Sequence, residues 1–240
     1  MIVSIPQKPR LLDYYANIHK KYDIVNRIFT FGRDVVWRAE ASVECLKDNP
    51  AQILDVCCGT GDMTMSVGAF AKAGISVTGY DFSAPMLKVA QRKSTIFCRD
   101  KIRFVQGDVA HIPFGDCTID CIAIAFGIRN LAFESPLAIS RIAEMCRILK
   151  QDGKMVVLES GVPSSRIIKL FHSLFLYLFL VPLGGLITGD FKAYFYLARS
   201  SGRFNTLVEI GKILEEKGLT VTMVKKYFLG AANLIVARKN

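Results

Sequence analysis

From residue 52 onward the chain alternates short, apolar, β-branched runs with segments of helical length, and this alternation limits the fold more than any other feature. Gln52–Cys57, Ser76–Tyr80, Lys101–Gln106, Ile119–Ala125 and Lys154–Glu159 read as strands. Between them lie a helix over Asp62–Lys72 and one opening at Ser83-Ala84-Pro85, where serine caps and proline suits the first turn. A third helix, Ser135–Leu149, is stopped by Gln151-Asp152-Gly153. Strands separated by helices return in parallel, and the helices cover both faces of the sheet. A helix over Thr206–Lys217 then precedes two strands, Leu219–Tyr227 and Ala231–Arg238, placed to pair as a hairpin. The expected architecture is α/β, with a mixed sheet of seven strands. Hydrophobic residues make up 51% of the chain and charged residues 22%, enough to pack such a core and too apolar for wholesale disorder.

Residues 11–50 read as helical and amphipathic, with Tyr14, Tyr15, Ile18, Tyr22, Ile24, Val25 and Ile28 as apolar positions and a break at Phe31-Gly32-Arg33-Asp34. The domain organisation expected is a helical cap over 1–50 and a main domain over 51–240, with a helical insertion at 161–205. Within the insertion, residues 166–187 are long and apolar. A membrane span needs roughly 20 uninterrupted apolar residues. Here Lys169, His172 and Ser173 sit at one end, and Pro182, Gly184 and Gly185 interrupt the other, so a buried or interfacial helix fits better.

The net charge of +10 admits nucleic acid, an anionic membrane or an acidic small molecule as partner. The basic residues are scattered in pairs, such as Lys20-Lys21, Arg92-Lys93 and Lys225-Lys226, with no dense arm, and no nucleic-acid partner is expected. Seven cysteines, an odd number without a CxxC pair, argue against a disulfide framework or a zinc ribbon, and no metal is expected. Met1–Arg10 lacks a signal-peptide apolar run. The expected compartment is the reducing cytoplasm.

Three motifs carry chemistry. The first strand runs through Asp55 into Cys57-Cys58-Gly59-Thr60-Gly61. Glycines there let backbone approach a ligand. Their spacing is wrong for the dinucleotide fingerprint, and no Gly-Lys-Ser/Thr follows to cradle phosphates, so a ligand without pyrophosphate fits better. Asp81 ends the second strand about 20 residues beyond the glycines, where an acidic side chain accepts ribose hydroxyls. The competing role, a helix N-cap, is already filled by Ser83. Asp108, in Gly107-Asp108-Val109 after the third strand, is placed either to read adenine, with Phe82 stacking on the base, or to cap its loop.

The sequences LDVCCGTGD, GYDFS and QGDVAHIPF together resemble the glycine-rich, ribose-binding and adenine-binding motifs of class I S-adenosylmethionine-dependent methyltransferases, whose sheet is Rossmann-like. Lys21-Tyr22-Asp23-Ile24-Val25-Asn26-Arg27 with Phe31-Gly32 and Trp37-Arg38, Ala125 to Leu131, Val157 to Ser160 and Tyr196 to Ser200 resemble the UbiE/MenG/COQ5 quinone C-methyltransferases. The resemblance implies a cofactor site of Asp55, Gly59, Thr60, Gly61, Asp81, Phe82, Asp108, Val109 and Ala125. It implies Arg129 and Asn130 as catalytic residues, and Tyr22, Glu159 and Tyr196 as substrate contacts. Arg129 follows the fourth strand, where its guanidinium is suited to stabilise a phenolate.

The family substrate is a polyprenylated quinol. Demethylmenaquinol is favoured here over the benzoquinol of ubiquinone synthesis or another small phenol. A non-enzymatic membrane-associated binding protein is the reading from another class, disfavoured by the intact Asp55, Gly59, Gly61, Asp81 and Asp108. Ala125 stands where the family commonly has serine, and the segment around Phe204-Asn205-Thr206 is shortened. An isoprenoid tail implies a lid at Leu174–Leu186 and peripheral contact with an anionic membrane; a homodimer is compatible. His19, His111 and His172 fall outside the motifs and are expected to be structural or exposed.

Overall fold

A computed structural model describes residues 21–97, 102–133, 135–204 and 206–240. The expectations placed on Tyr14, Tyr15, Ile18, His19, Lys101 and Asn205 lie outside the described residues. Among the described residues, two helices, α1 (Tyr22–Phe29) and α2 (Arg33–Leu46), precede the alternating region. There follow β1 (Gln52–Val56), α3 (Asp62–Phe70), β2 (Ser76–Asp81), α4 (Ala84–Phe97), β3 (Ile102–Gln106) and β4 (Ile119–Ala125). Then come α5 (Ile128–Ala132), α6 (Ala138–Ile148) and β5 (Leu149–Ser160). The strands form one sheet in the order β3-β2-β1-β4-β5-β7-β6, where β6 is Leu219–Tyr227 and β7 is Ala232–Lys239. β7 runs antiparallel between β5 and β6, and the other pairs are parallel. This is the expected seven-stranded mixed sheet.

The strands are apolar on both faces because both are covered. Leu54, Ile122, Ile124, Met155 and Val157 pack on one side with Ile142 and Met145 of α6. Ile53, Cys121, Ala123, Val156 and Leu158 pack on the other with Trp37, Ala41 and Cys45 of α2 and Met63 and Val67 of α3. Each Leu, Ile, Val or Met among them contributes about 1.5–3 kcal/mol on full burial. β5 begins at Leu149 and not at Lys154. Leu149 pairs with Ile119, and Lys154 then pairs with Cys121 across a register shift. Gln151-Asp152-Gly153, with Asp152 at φ +58°, is therefore an irregularity inside a strand and not the stop after a helix.

Between β5 and β6 the chain makes α7 (Arg166–Phe175), one π-turn over Leu176–Leu180 and α8 (Val181–Thr188), then α9 (Phe191–Arg203) and α10 (Thr206–Glu216). Pro182, Gly184 and Gly185, which interrupt the apolar run in the sequence, do not end the helix: Arg166–Thr188 is one continuous helix of 23 residues. The π-turn, wider than an α-turn, precedes the proline, which lacks an amide hydrogen. The glycines are needed for packing. A Cβ on Gly184 would lie 2.4 Å from the Tyr194 ring of α9, and one on Gly185 would lie 2.3 Å from Phe191. α1 closes the group, with Val25 packed among Leu176, Leu180, Tyr194 and Ala198, and the Phe29 and Phe175 rings 5.9 Å apart. The outer face, including Ile167, Leu170, Phe171, Leu178 and Leu186, stays exposed. The helix is long and apolar enough to cross a membrane by length and composition, and only 22% of its most apolar window is buried, which rules out a core helix.

Candidate active site

The strand order reverses direction between β1 and β4, and the crevice at the carboxyl ends of these strands is where open α/β sheets bind ligands. The backbone there is unusual. Cys57 and Phe126, directly after β1 and β4, have φ of +59° and +57°. Non-glycine residues hold such angles at a cost of roughly 1–3 kcal/mol and concentrate at functional sites. Gly59 and Gly61, at +53° and +81°, complete the turn after β1. Asp81 fixes that turn to the end of β2: its Oδ2 accepts the Gly59 amide at 2.9 Å and its Oδ1 the Ser83 amide at 2.8 Å. Burial pushes the Asp81 carboxyl up, and the amides of Ser83, Gly59 and Phe82 pull it back.

A cavity of about 120 Å³ opens over this edge. Every predicted cofactor residue except Gly61 lines it: Asp55, Gly59, Thr60, Asp81, Phe82, Asp108, Val109 and Ala125. Gly61 sits behind the turn, where a Cβ would lie 2.9 Å from that of Ala90. Asp108 also caps its loop, accepting the Ala110 amide at 3.0 Å, so both of its anticipated roles are compatible. Asp55 is fully buried. Its Oδ2 accepts the Thr64 hydroxyl at 2.5 Å, while its Oδ1 has no hydrogen-bond partner among the described residues. Burial raises its carboxyl to about 7. Cys57 and Cys58 also line the cavity, but burial pushes both thiols well up, so neither is a thiolate.

α1 closes over the turn through charge. Asp23 accepts the Thr60 hydroxyl at 2.6 Å and pairs with Lys93 at 2.8 Å, and Lys93 also pairs with Asp62. Arg38, buried in α2, pairs with Asp34 at 2.5 Å and lies over the Phe126 ring at 5.2 Å. Arg38 and Phe126 both line the cavity, and sequence reasoning missed both. The signal for Phe126 was its place directly after a strand of the crevice; Arg38 had only its place in the family-like Trp37-Arg38 pair, because its contact with Phe126 is non-local.

A second cavity, of about 390 Å³, lies beneath the helices that follow β5 and shares Tyr22 and Phe126 with the first. Its wall is mainly apolar and aromatic, with Trp37, Phe29, Phe175, Leu176 and Leu180. The two adjacent residues expected to be catalytic separate here: Asn130 lines the first cavity and Arg129 the second. Arg129 is buried; it donates to the Ser200 hydroxyl and lies 3.6 Å from Glu159. Glu159 lines neither cavity. It is fully buried and accepts the Arg129 amide at 3.1 Å and the Ser160 amide at 2.8 Å. Tyr196 also lines neither; its carbonyl accepts the Ser200 hydroxyl at 2.8 Å. Tyr22 lines both, and burial pushes its phenol up. His172, expected to be structural or exposed, lines the second cavity.

The model of the ubiE/COQ5 methyltransferase family matches residues 5–239. The chain belongs to this family. The demethylmenaquinone methyltransferase of Thermus thermophilus is 36% identical over 208 residues, covering 86% of this chain and 91% of that one. The protein of the same name from Thermotoga maritima is 34% identical over 223 residues, covering 92% and 93%. Among solved structures, a SAM-dependent methyltransferase from Aquifex aeolicus superposes with a TM-score of 0.55 at 18% identity, covering 78% of this chain and 81% of that one. One from Methanosarcina mazei gives 0.57 at 18% identity, covering 82% and 95%. The fold is therefore that of class I methyltransferases, and the chain is an S-adenosylmethionine-dependent methyltransferase.

The first cavity fits that cofactor. The buried Asp55 Oδ1 suits a cationic donor, the Asp81 carboxylate suits hydroxyl donors, and Gly59 has no atom within 4 Å of where its Cβ would project. Asp55 also makes the fold sensitive to pH. Its carboxyl ionises near 7 when folded and near 3.8 ordinarily, so between those values only the folded chain holds the proton. The stability this contributes is complete at low pH and is lost as the pH rises through the folded value. The melting temperature of the wild type, relative to Asp55→Asn, should therefore fall as the pH is raised from about 4 to about 8. A difference that stays constant would contradict the placement of Asp55.

Proposed function

We propose that the enzyme methylates a ring carbon of demethylmenaquinol, giving menaquinol. The observation that carries this reading is the second cavity: large, apolar, joined to the first at Tyr22 and Phe126, and holding a buried guanidinium. The names of the relatives from Thermus thermophilus and Thermotoga maritima support the naphthoquinol over the benzoquinol of ubiquinone synthesis.

In this reading Asp55 holds the cofactor's ammonium group, Asp81 the ribose hydroxyls, and Asp108, Val109 and Phe82 the adenine. Gly59, Thr60 and Ala125 shape the cavity around it, and Asn130 faces it from the β4 side. Bound there, the cofactor supplies an electrophilic methyl group on a sulfonium sulfur. The acceptor carbon must be electron-rich, and a phenol with a pKa of about 10 is mostly neutral at pH 7. The Arg129 guanidinium, oriented by Glu159 and Ser200, favours the phenolate. Tyr22, kept protonated by burial, is a hydroxyl donor where the two cavities meet. Residues 1–50 and 161–205 act as cap and lid on the 51–240 domain, and Leu174–Leu186 admits the isoprenoid tail.

The exposed apolar face of the lid, beside the exposed Arg166, Lys169 and Lys192, fits an anionic membrane surface at the cytoplasmic side. Each such basic residue contributes about 1 kcal/mol near the surface. The protein should float with anionic liposomes and remain at the bottom with neutral ones; sedimentation with both would overturn the membrane contact. With methyl-labelled cofactor and short-tailed quinols, label should pass to the demethylated naphthoquinol in preference to the benzoquinol. Preferred labelling of the benzoquinol would assign ubiquinone synthesis instead. Arg129→Lys keeps a charge beside Glu159 but loses the planar fork. It should bind cofactor normally and turn over about 10²-fold more slowly.

A further inference from the structure

His172 lies on the inward face of α7, in a row with Ile168, Phe175 and Leu176 that lines the second cavity. In an amphipathic helix this row is the packing stripe, where an apolar residue would serve without cost. The imidazole has instead a fully buried Nδ1 with no hydrogen-bond partner among the described residues. Leaving a polar atom in that state is costly, and such an atom in a native structure calls for an explanation.

The chemistry of the wall narrows that explanation. The other titratable groups lining the cavity are Tyr22 on α1 and Arg129 on α5. Arg129 is cationic and only donates. Tyr22 is held protonated by burial. Asn26, Thr30, Ser160 and Ser201 complete the polar lining and are not bases. Burial alone pushes the His172 imidazole below its ordinary 6.5, so it is neutral at pH 7 with one nitrogen free to accept a proton. Among the described groups lining the cavity, it is the one that can do so.

We infer that His172 is the general base of the reaction, taking the proton of the quinol hydroxyl next to the methylated carbon while Arg129 stabilises the negative charge that develops on that oxygen. The O–H bond breaks, an N–H bond forms at the unprotonated nitrogen of the imidazole, and the electron pair left on oxygen is delocalised into the ring. The ring carbon then takes the methyl group, and the C–S pair stays on the cofactor's sulfur. The carbon gives up its own hydrogen to water, and His172 returns its proton to the oxygen. The products are the methylated quinol, the demethylated cofactor and one proton. This inference rests on the quinol reading above.

The test is a pH–rate profile of wild type and His172→Gln with a short-tailed demethylated naphthoquinol. Binding is followed separately by the fluorescence of Trp37, the chain's single tryptophan and part of the same cavity wall. Wild-type kcat should fall on the acid side with a pKa at or below about 6.5. Tyr22 titrates too high to produce that limb and Arg129 stays cationic, while Asp55, raised to about 7 in the other cavity, would leave its part of the limb in the variant, so the part lost with His172 is the part that counts. His172→Gln should lose it, with kcat at neutral pH down about 10²-fold and quinol affinity nearly unchanged. Absence of the limb from the wild type, or a lower kcat in His172→Gln with the limb intact, would assign His172 to packing and overturn the inference. If the wild type methylates no quinol at any pH, it is the quinol reading that fails.

Discussion

The reversal of strand order between β1 and β4 is the constraint on which the site depends. Strands β1, β2 and β3 are laid down in one direction, and the chain then crosses back to place β4 on the other side of β1. No connecting helix can cover the carboxyl ends of both β1 and β4, so a crevice is left between them. The sheet on either side is rigid because both faces are packed, with Leu54 and Ile122 toward one layer and Ile53 and Cys121 toward the other. On that base the turns after β1 and β4 hold Cys57 and Phe126 at positive φ, and Asp81 pins the first turn through two backbone amides.

The helices outside the sheet turn the crevice into two adjoining cavities. α1 is tied to the glycine turn through Asp23, Thr60 and Lys93, and to the lid helices through Val25 and Phe29. Tyr22 and Phe126 form the partition. The first cavity is lined by carboxylates and suits a cation with hydroxyl donors. The second is aromatic, with a guanidinium in its floor. An electrophile carrying positive charge and an apolar phenol are thus matched to different walls of one space.

Most of the fold and the cofactor side of the site were legible in the sequence, because both rest on local pattern. Strand and helix periods mark the elements, and Asp55, Asp81 and Asp108 follow or end strands that share one sheet edge. What the sequence did not show depends on tertiary geometry. Arg129 and Asn130 are neighbours in the chain, but successive residues of a helix point about 100° apart, and on α5 this sends them to different cavities. Gln151-Asp152-Gly153 has the composition of a stop, and only the pairing of Leu149 with Ile119 makes it part of a strand. Gly184 and Gly185 read as helix breakers; the Tyr194 and Phe191 rings packed against them override that propensity. Trp37 and Arg38 stood in the family-like stretch with no role read from them, His172 stood in no motif, and all three reach the site through the packing of α2 and α7.

The central claim is that cofactor and quinol occupy separate, touching cavities. Trp37 lines the second and not the first, so its quenching by a short-tailed naphthoquinone reports the acceptor side alone. The titration is best made with and without saturating S-adenosylhomocysteine, the demethylated cofactor. The account predicts that the quinone still binds and quenches fully with the first cavity filled. Competitive displacement of the quinone by S-adenosylhomocysteine would contradict it.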